Sequence, residues 1–152
     1  MDQQALQNKL NEIISNPTFQ EGDEMLTVYV DAGEWKEVAQ KLKSDEDLYF
    51  GYPGCITCID WEQYFEMVYI LESFNHGHEL KVKVQLEDRE NPKIDTVTDI
   101  WPGAELPEDE VYDLFGIYFT DHPNLRRIFL DEDWEGHPLR KDYYDPINIV
   151  DL

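Results

Sequence analysis

The chain has 152 residues, enough for one domain with a core of its own, and 41% of them are hydrophobic. Twelve basic residues stand against 34 acidic ones, a formal charge of −22 that repels phosphate backbones and argues against nucleic acid and anionic membrane surfaces as partners. No run approaches the eighteen or so apolar residues of a membrane span, and the two cysteines are too few for a disulfide scaffold, so a reducing compartment is expected.

MDQQALQNKLNEII has neither the basic start and apolar run of a secretory signal nor the arginines of a mitochondrial presequence, so no targeting segment is expected. Ala5, Leu6, Leu10, Ile13 and Ile14 fall at helical spacing until Asn16-Pro17 ends the run. Residues 25–30, MLTVYV, read as a strand. Asp31 then resembles an N-cap, with Glu34 completing a capping box. It opens a second helix whose apolar face is Trp35, Val38, Ala39 and Leu42 and whose end carries Lys41 and Lys43.

Three strand-like runs follow, residues 48–61, 64–74 and 79–87. The last alternates Leu80, Val82, Val84 and Leu86 with Lys81, Lys83, Gln85 and Glu87, and NHGH at 75–78 suits a hairpin turn before it. A shorter strand is expected at 93–97. Helix, strand, helix and then consecutive strands predict an α+β fold. In this two-layer sandwich, two helices pack on a mixed, largely antiparallel sheet over residues 1–100.

Beyond residue 100, WPGAELPEDEVYDLF predicts a short helix with Pro107 near its first turn and Val111, Leu114 and Phe115 on one face. From Gly116 onward Gly, Pro, His, aromatic and charged residues follow one another without a period. Residues 101–152 therefore read as this helix plus an extended C-terminal segment that must lie on something. Three of the four arginines, Arg126, Arg127 and Arg140, fall within it, beside Leu125, Ile128, Phe129, Leu139, Tyr143 and Tyr144. Arginine among aliphatic and aromatic residues is the makeup of an interface or of an internal clasp, its guanidinium paired with carboxylates.

The remaining candidates for chemistry read as structural. CITC, Cys55 to Cys58, could join His76 and His78 in a zinc site, but residues three apart on a strand point to opposite faces, so buried core cysteines are expected instead. His76, His78, His122 and His137 lie in turns or before prolines with no nucleophile beside them, and read as satisfied turn residues. The acids of EDEVYD, 108–113, are accounted for by the dipole of a helix start. No phosphate-binding glycine motif is present.

EDEVYDLFGIYFTDHPNLRRIF followed by WEGHPLRKDYYDP closely resembles the signature of the 30 kDa, C-type subunit of proton-pumping NADH-quinone oxidoreductase, respiratory complex I. That family reads approximately E-R-E-x-x-D-x-F-G-I-x-F-x-x-H-P-x-L-R-R-I, then E-G-x-P-L-R-K-D-[YF]. The first block matches Glu108, Glu110, Asp113, Phe115, Gly116, Ile117, His122, Pro123, Leu125, Arg126, Arg127 and Ile128. The second matches Glu135, Gly136, Pro138, Leu139, Arg140, Lys141, Asp142 and Tyr143. Asp109 stands where the family usually has Arg, and Leu106 where it often has an aromatic. CITCID occupies the place of the family's D-I-T-A-V-D strand.

The resemblance implies a structural subunit that binds no cofactor, in the peripheral arm on the cytoplasmic side of the cell membrane, attached only through the complex. FMN, iron–sulfur clusters and quinone belong to partner subunits. Its C-terminal tail would drape over the quinone-site subunit of the 49 kDa type, near the iron–sulfur subunits. Asp113, Gly116, His122, Pro123, Arg126, Arg127, Glu135, Gly136, Pro138, Leu139, Arg140, Lys141, Asp142 and Tyr143 would form that interface. Two alternatives are the equivalent subunit of a related membrane-bound hydrogenase or ferredoxin- or F420-linked dehydrogenase, and a free-standing acidic binding module.

Overall fold

The computed structural model describes residues 1–147; the last five positions of the expected C-terminal segment lie outside the described residues. Helix α1 (Gln3–Ile13) begins where Asp2 accepts a hydrogen bond from the Ala5 amide at 2.7 Å, and it buries Leu6 and Leu10. Strands β1 (Thr18–Gln20) and β2 (Thr27–Tyr29), helix α2 (Trp35–Ser44), and strands β3 (Tyr52–Asp60), β4 (Phe65–Ser73) and β5 (His78–Leu86) follow. They form a sheet in the order β1-β2-β5-β4-β3. Only β2 and β5 run parallel, so the predicted mixed, largely antiparallel sheet is found.

The alternation read in β5 decides which face of the sheet is covered. Leu80, Val82, Val84 and Leu86 are buried and lie opposite Leu71, Tyr69, Met67 and Phe65 of β4. Trp35, at the start of α2, sits with its ring 4.5 Å from that of Tyr69 and 6.4 Å from that of Trp101. Leu6 and Leu10 of α1 join the same cluster, so the two predicted helices share this face. The cluster extends through Ile94, Val97, Ile100, Trp101, Ala104, Val111, Ile117 and Phe119. Trp101 closes the layer by donating from its indole to the Phe50 carbonyl at 2.8 Å.

Several local expectations are corrected. Asp31 does not cap α2: its carboxylate accepts from the Gly33 amide at 3.0 Å, a turn of its own, and α2 starts only at Trp35 with no side-chain cap. Strand β6 (Lys93–Asp95) does not extend the main sheet. It pairs in parallel with β7 (Tyr118–Thr120), a strand too short to show a period in the sequence. The cysteines divide as their odd spacing requires, Cys58 buried and Cys55 exposed, so the expectation of two core cysteines holds for one. Burial pushes the Cys58 thiol up to about 12, and the negative charge of Asp60 adds to it.

This division is open to a direct test. Cys55 should react with a water-soluble disulfide reagent in the native protein, and Cys58 only after denaturation. Cys58→Ala should cost about 1–2 kcal/mol in a urea melt and Cys55→Ala less than about 0.5 kcal/mol.

Candidate functional site

Helix α3 (Glu105–Phe115) follows a 3-10 turn at Pro102–Ala104 and packs against β3. Val111 points inward as expected, but Leu114 and Phe115 are only half-buried. The buried polar positions are Glu108, Asp109 and Asp113. The dipole account of these acids is therefore incomplete, since each is held inside the fold by named partners.

Asp113 organises the aperiodic chain. One of its carboxylate oxygens accepts from the amides of Ile128, Phe129 and Leu130 at 3.1, 2.8 and 3.1 Å, and the other takes the Arg127 guanidinium at 2.8 Å. Burial works to raise its pKa, but the Phe129 amide and the Arg127 guanidinium, with the other two amides, hold it below the usual carboxylate value. Arg127 also donates to the carbonyls of Asp113, Trp134 and Gly136. One ion pair thus fixes residues 127–136 against the end of α3. Asp113 also accepts through its carbonyl from His137 Nδ1 at 2.9 Å.

Gly116 makes this approach possible. It ends α3 at a φ of 76°, and a Cβ there would stand 2.7 Å from the His137 ring. Gly136 plays the same part with a φ of 86° and the Tyr143 ring 2.9 Å from where its Cβ would be.

The second clasp joins the tail to the sheet. Arg89 reaches both oxygens of the buried Asp60 at 2.6 and 3.1 Å and donates to Asp142 at 3.2 Å. Asp142 also takes two bonds from Arg140, at 2.8 and 2.9 Å, while Arg140 donates to the carbonyls of Arg89 and Phe115. Both guanidiniums lie over Phe65, at 4.5 and 4.9 Å from its ring centre. Asp60 also accepts the Lys141 amide at 2.8 Å. Although burial would raise Asp60, the Arg89 guanidinium and the Lys141 and Glu62 amides bring it down to about 2. The hydrogen bonds from Arg140, with those from Arg89, hold Asp142 far below the ordinary range.

Glu108 and Asp109 tie α3 to its other neighbours. Glu108 takes the Thr96 hydroxyl at 2.7 and 2.9 Å and the Val97 amide at 3.0 Å. Burial outweighs those bonds and pushes it up to about 7. Asp109 accepts the Arg126 amide at 3.3 Å and lies 3.5 Å from His122 Nε2, with its other oxygen lacking a partner among the described residues. Burial raises its pKa. His122 receives the Asn124 amide on Nδ1 at 3.0 Å, so Nε2 carries the proton and donates to the Glu105 carbonyl at 3.2 Å.

The structure therefore brings together Asp113, Gly116, Arg127 and Gly136 in one clasp and Arg140, Lys141 and Asp142 in the other. Pro123, Glu135 and Leu139 face outward, the Arg126 side chain is exposed, Pro138 and Tyr143 are half-buried, and His122 packs against Asp109. Sequence reasoning missed Asp60, Arg89 and Phe65. The one signal for them was that Arg89 is the remaining arginine of an acidic chain. Among the described residues, no group of three His, Cys, Asp or Glu side chains is placed to hold a metal ion.

Two measurements probe these carboxylates. Asp113→Ala strands the Arg127 charge, so it should cost about 3–5 kcal/mol and displace the amide signals of Ile128, Phe129 and Leu130. Glu108 has a folded pKa above its unfolded value of 4.5, so its ionisation weighs against folding as pH rises from about 4.5 to about 7. Over that window Glu108→Gln should gain on the wild type by on the order of 3 kcal/mol in denaturant melts. A gap that does not change with pH overturns this account.

Comparison with known proteins places this geometry. Residues 28–146 match the family model described as "Respiratory-chain NADH dehydrogenase, 30 Kd subunit". The C-type subunit of NADH-quinone oxidoreductase from Roseiflexus sp. (strain RS-1) is 44% identical over 120 residues, covering 77% of this chain and 68% of that protein. The combined C/D-type subunit of NADH-quinone oxidoreductase from Phocaeicola vulgatus is 42% identical over 110 residues, 72% of this chain and 21% of the longer one. Among solved structures, a chain of the membrane-bound sulfane sulfur reductase, an archaeal respiratory membrane complex, superposes with a TM-score of 0.79 at 27% identity, covering 95% of this chain and 86% of that one. With the match spanning β3 to β5, α3 and both clasps, the chain belongs to the 30 kDa subunit family of respiratory-chain NADH dehydrogenase, the family of the C-type subunits of NADH-quinone oxidoreductase.

Proposed function

We propose that this chain is a cofactor-free structural subunit of the peripheral arm of an NADH-quinone oxidoreductase. Its C-terminal segment docks on the quinone-site, 49 kDa-type subunit and neighbouring iron–sulfur subunits, on the cytoplasmic side of the membrane. Electrons pass from NADH to quinone through FMN and iron–sulfur clusters in those partners. No described helix is long and apolar enough to cross a membrane, which suits attachment through the complex.

One observation carries the reading: the two clasps fix the tail from inside and leave its large apolar side chains outward. Phe129, Leu139, Tyr144 and Ile147 are 64%, 52%, 68% and 89% exposed on a segment whose backbone is held in place. Ordered backbone with unburied apolar side chains is what an interface needs before its partner arrives. The union of C-type and D-type subunits in one chain of Phocaeicola vulgatus supports the D-type, quinone-site subunit as that partner.

The likeness to a sulfane sulfur reductase chain favours a second reading, the equivalent subunit of another membrane-bound respiratory complex. The copurifying large subunit distinguishes them: mass spectrometry of the tagged complex should find a quinone-site subunit, and nickel-binding cysteines there would indicate a hydrogenase.

The docking role separates from folding by choice of residue. Leu139→Glu/Tyr144→Glu touches exposed positions, so the isolated subunit should melt within a few degrees of wild type while recovery in complexes on a native gel falls at least tenfold, the equivalent of about 1.4 kcal/mol. Arg140→Glu breaks the second clasp and should lower the melting temperature as well. Wild-type assembly of the Leu139/Tyr144 variant would overturn the docking assignment.

A further inference from the structure

The five-stranded sheet has two faces, and the core cluster occupies one of them. From β4 that cluster takes Phe65, Met67, Tyr69 and Leu71, which alternate along the strand and so share a face. On the other face Val68 is buried without belonging to the cluster, Ile59 and Ile70 are half-buried, and Cys55 and Thr57 are exposed. Thr57 pairs with Val68, Cys55 with Ile70 and Ile59 with Glu66, so these side chains lie together. An antiparallel sheet that meets water usually turns polar residues outward, and here β3 and β4 present an uncharged strip instead. The chain has no charged residue from Leu48 to Ile59, in a sequence that is 30% charged.

One end of the strip is aromatic and acidic. Tyr52 and Phe74 are 48% and 74% exposed, with ring centres 5.3 Å apart. Tyr52 pairs across with Glu72, and Glu72 with Glu79 of β5, so two carboxylates stand side by side on this face. The Glu72 carboxylate lies against Gly54, 3.1 Å from where a Cβ would stand. Like charges directly opposite one another disfavour the pairing, and neither glutamate has an ion pair among the described residues. The lysines of the same face are engaged elsewhere. Lys81 is 3.5 Å from Asp23, and Lys83 is 3.6 Å from Glu66 and donates to Gln20 at 2.9 Å.

What can cover this face follows from its backbone and its charge. Strand β4 is paired on both sides, by β3 and β5, so the face offers side chains and no free amides or carbonyls. A partner must therefore satisfy its own backbone, as a helix does, and a helix there would give the sheet a helical layer on each face. A second copy is opposed by a charge of −22 on each chain and by Glu72 and Glu79 meeting their own equivalents. The strip runs along β4 for about 25 Å, the length of a helix of about 17 residues. We propose that this face docks an amphipathic, basic helix of another polypeptide. Its apolar stripe lies on Ile59, Thr57, Val68 and Ile70, and a cationic side chain sits over Glu72 and Glu79 beside the Tyr52–Phe74 pair. The surface belongs to β3, β4 and β5 and is independent of the C-terminal docking assignment.

The probe is a synthetic helical peptide of about 17 residues, with leucines along one side and lysines on the rest. It is titrated into the full chain while Cys55, in the middle of the strip, is labelled with a water-soluble disulfide reagent. Saturating peptide should slow the labelling about tenfold or more. A scrambled peptide of the same composition has the charge without the stripe and should leave the rate unchanged. Thr57→Lys, at an exposed position, sets a cation against the basic helix and should weaken binding about tenfold. Glu72→Gln/Glu79→Gln should weaken it about fivefold. Leu139→Glu/Tyr144→Glu removes apolar surface from the C-terminal segment alone and should bind the peptide like wild type. The proposal is overturned if Cys55 stays reactive, if the scrambled peptide protects it equally, or if Thr57→Lys binds like wild type. Loss of binding in the Leu139/Tyr144 variant would also overturn it, by placing the peptide on the tail, as would sedimentation showing that the chain shields Cys55 by pairing with itself.

Discussion

The chain from Arg127 to Gly136 depends on one buried carboxylate accepting four donors from a loop that has no secondary structure of its own. Asp113 takes the amides of three consecutive residues and the guanidinium of Arg127, and that guanidinium in turn gathers three carbonyls. Backbone groups that would be satisfied by a helix or sheet are here satisfied by side chains. The negative charge is stabilised by donors in a site water cannot reach, so the loop cannot leave without stranding the buried carboxylate of Asp113. The aperiodic segment is thereby given a shape by an element that precedes it in the chain.

The second clasp shows how an acidic chain uses its few cations. Arg89 and Arg140 share Asp142 and both cover Phe65, while Asp60 collects Arg89 and the Lys141 amide together. Each guanidinium has five donors in a plane, so it can bridge sheet, loop and tail in a way a lysine cannot. Most of the lysines lie elsewhere, as Lys41 does in a pair with Glu37 on the surface of α2. The arginines concentrate near the C-terminus because that is where the chain lacks a ladder and needs donors of fixed geometry.

The sheet and two of its helices were legible because their apolar residues recur with period. Leu80 to Leu86 alternate, and Trp35, Val38, Ala39 and Leu42 trace one helical face. The site was legible only as composition and as a resemblance. Nothing local distinguishes Asp113 or Glu108, buried, from Glu110, exposed on the same helix, since all three sit in one acidic run. Nor could spacing reveal that Asp60 and Lys141 meet, because the contact joins distant parts of the chain through the turn of the sheet. Strand β7 escaped notice for a different reason: three residues contain too few alternations to stand out from a loop. The capping box at Asp31 matched by spacing alone, and the local turn with Gly33 won.

The burial of Asp113 and Asp60 bears on how the protein answers to ionic strength. Dissolved ions largely screen solvent-exposed charges more than about 8 Å apart at physiological concentration, but they do not enter the space between partners that exclude water. The repulsion among the many surface acids therefore fades as salt is added, while the buried pairs Asp113–Arg127 and Asp60–Arg89 are screened much less than the half-exposed Asp142. The formal charge of −22 is thus a repulsion that dissolved salt lessens, while the carboxylates that hold the fold from inside keep their partners.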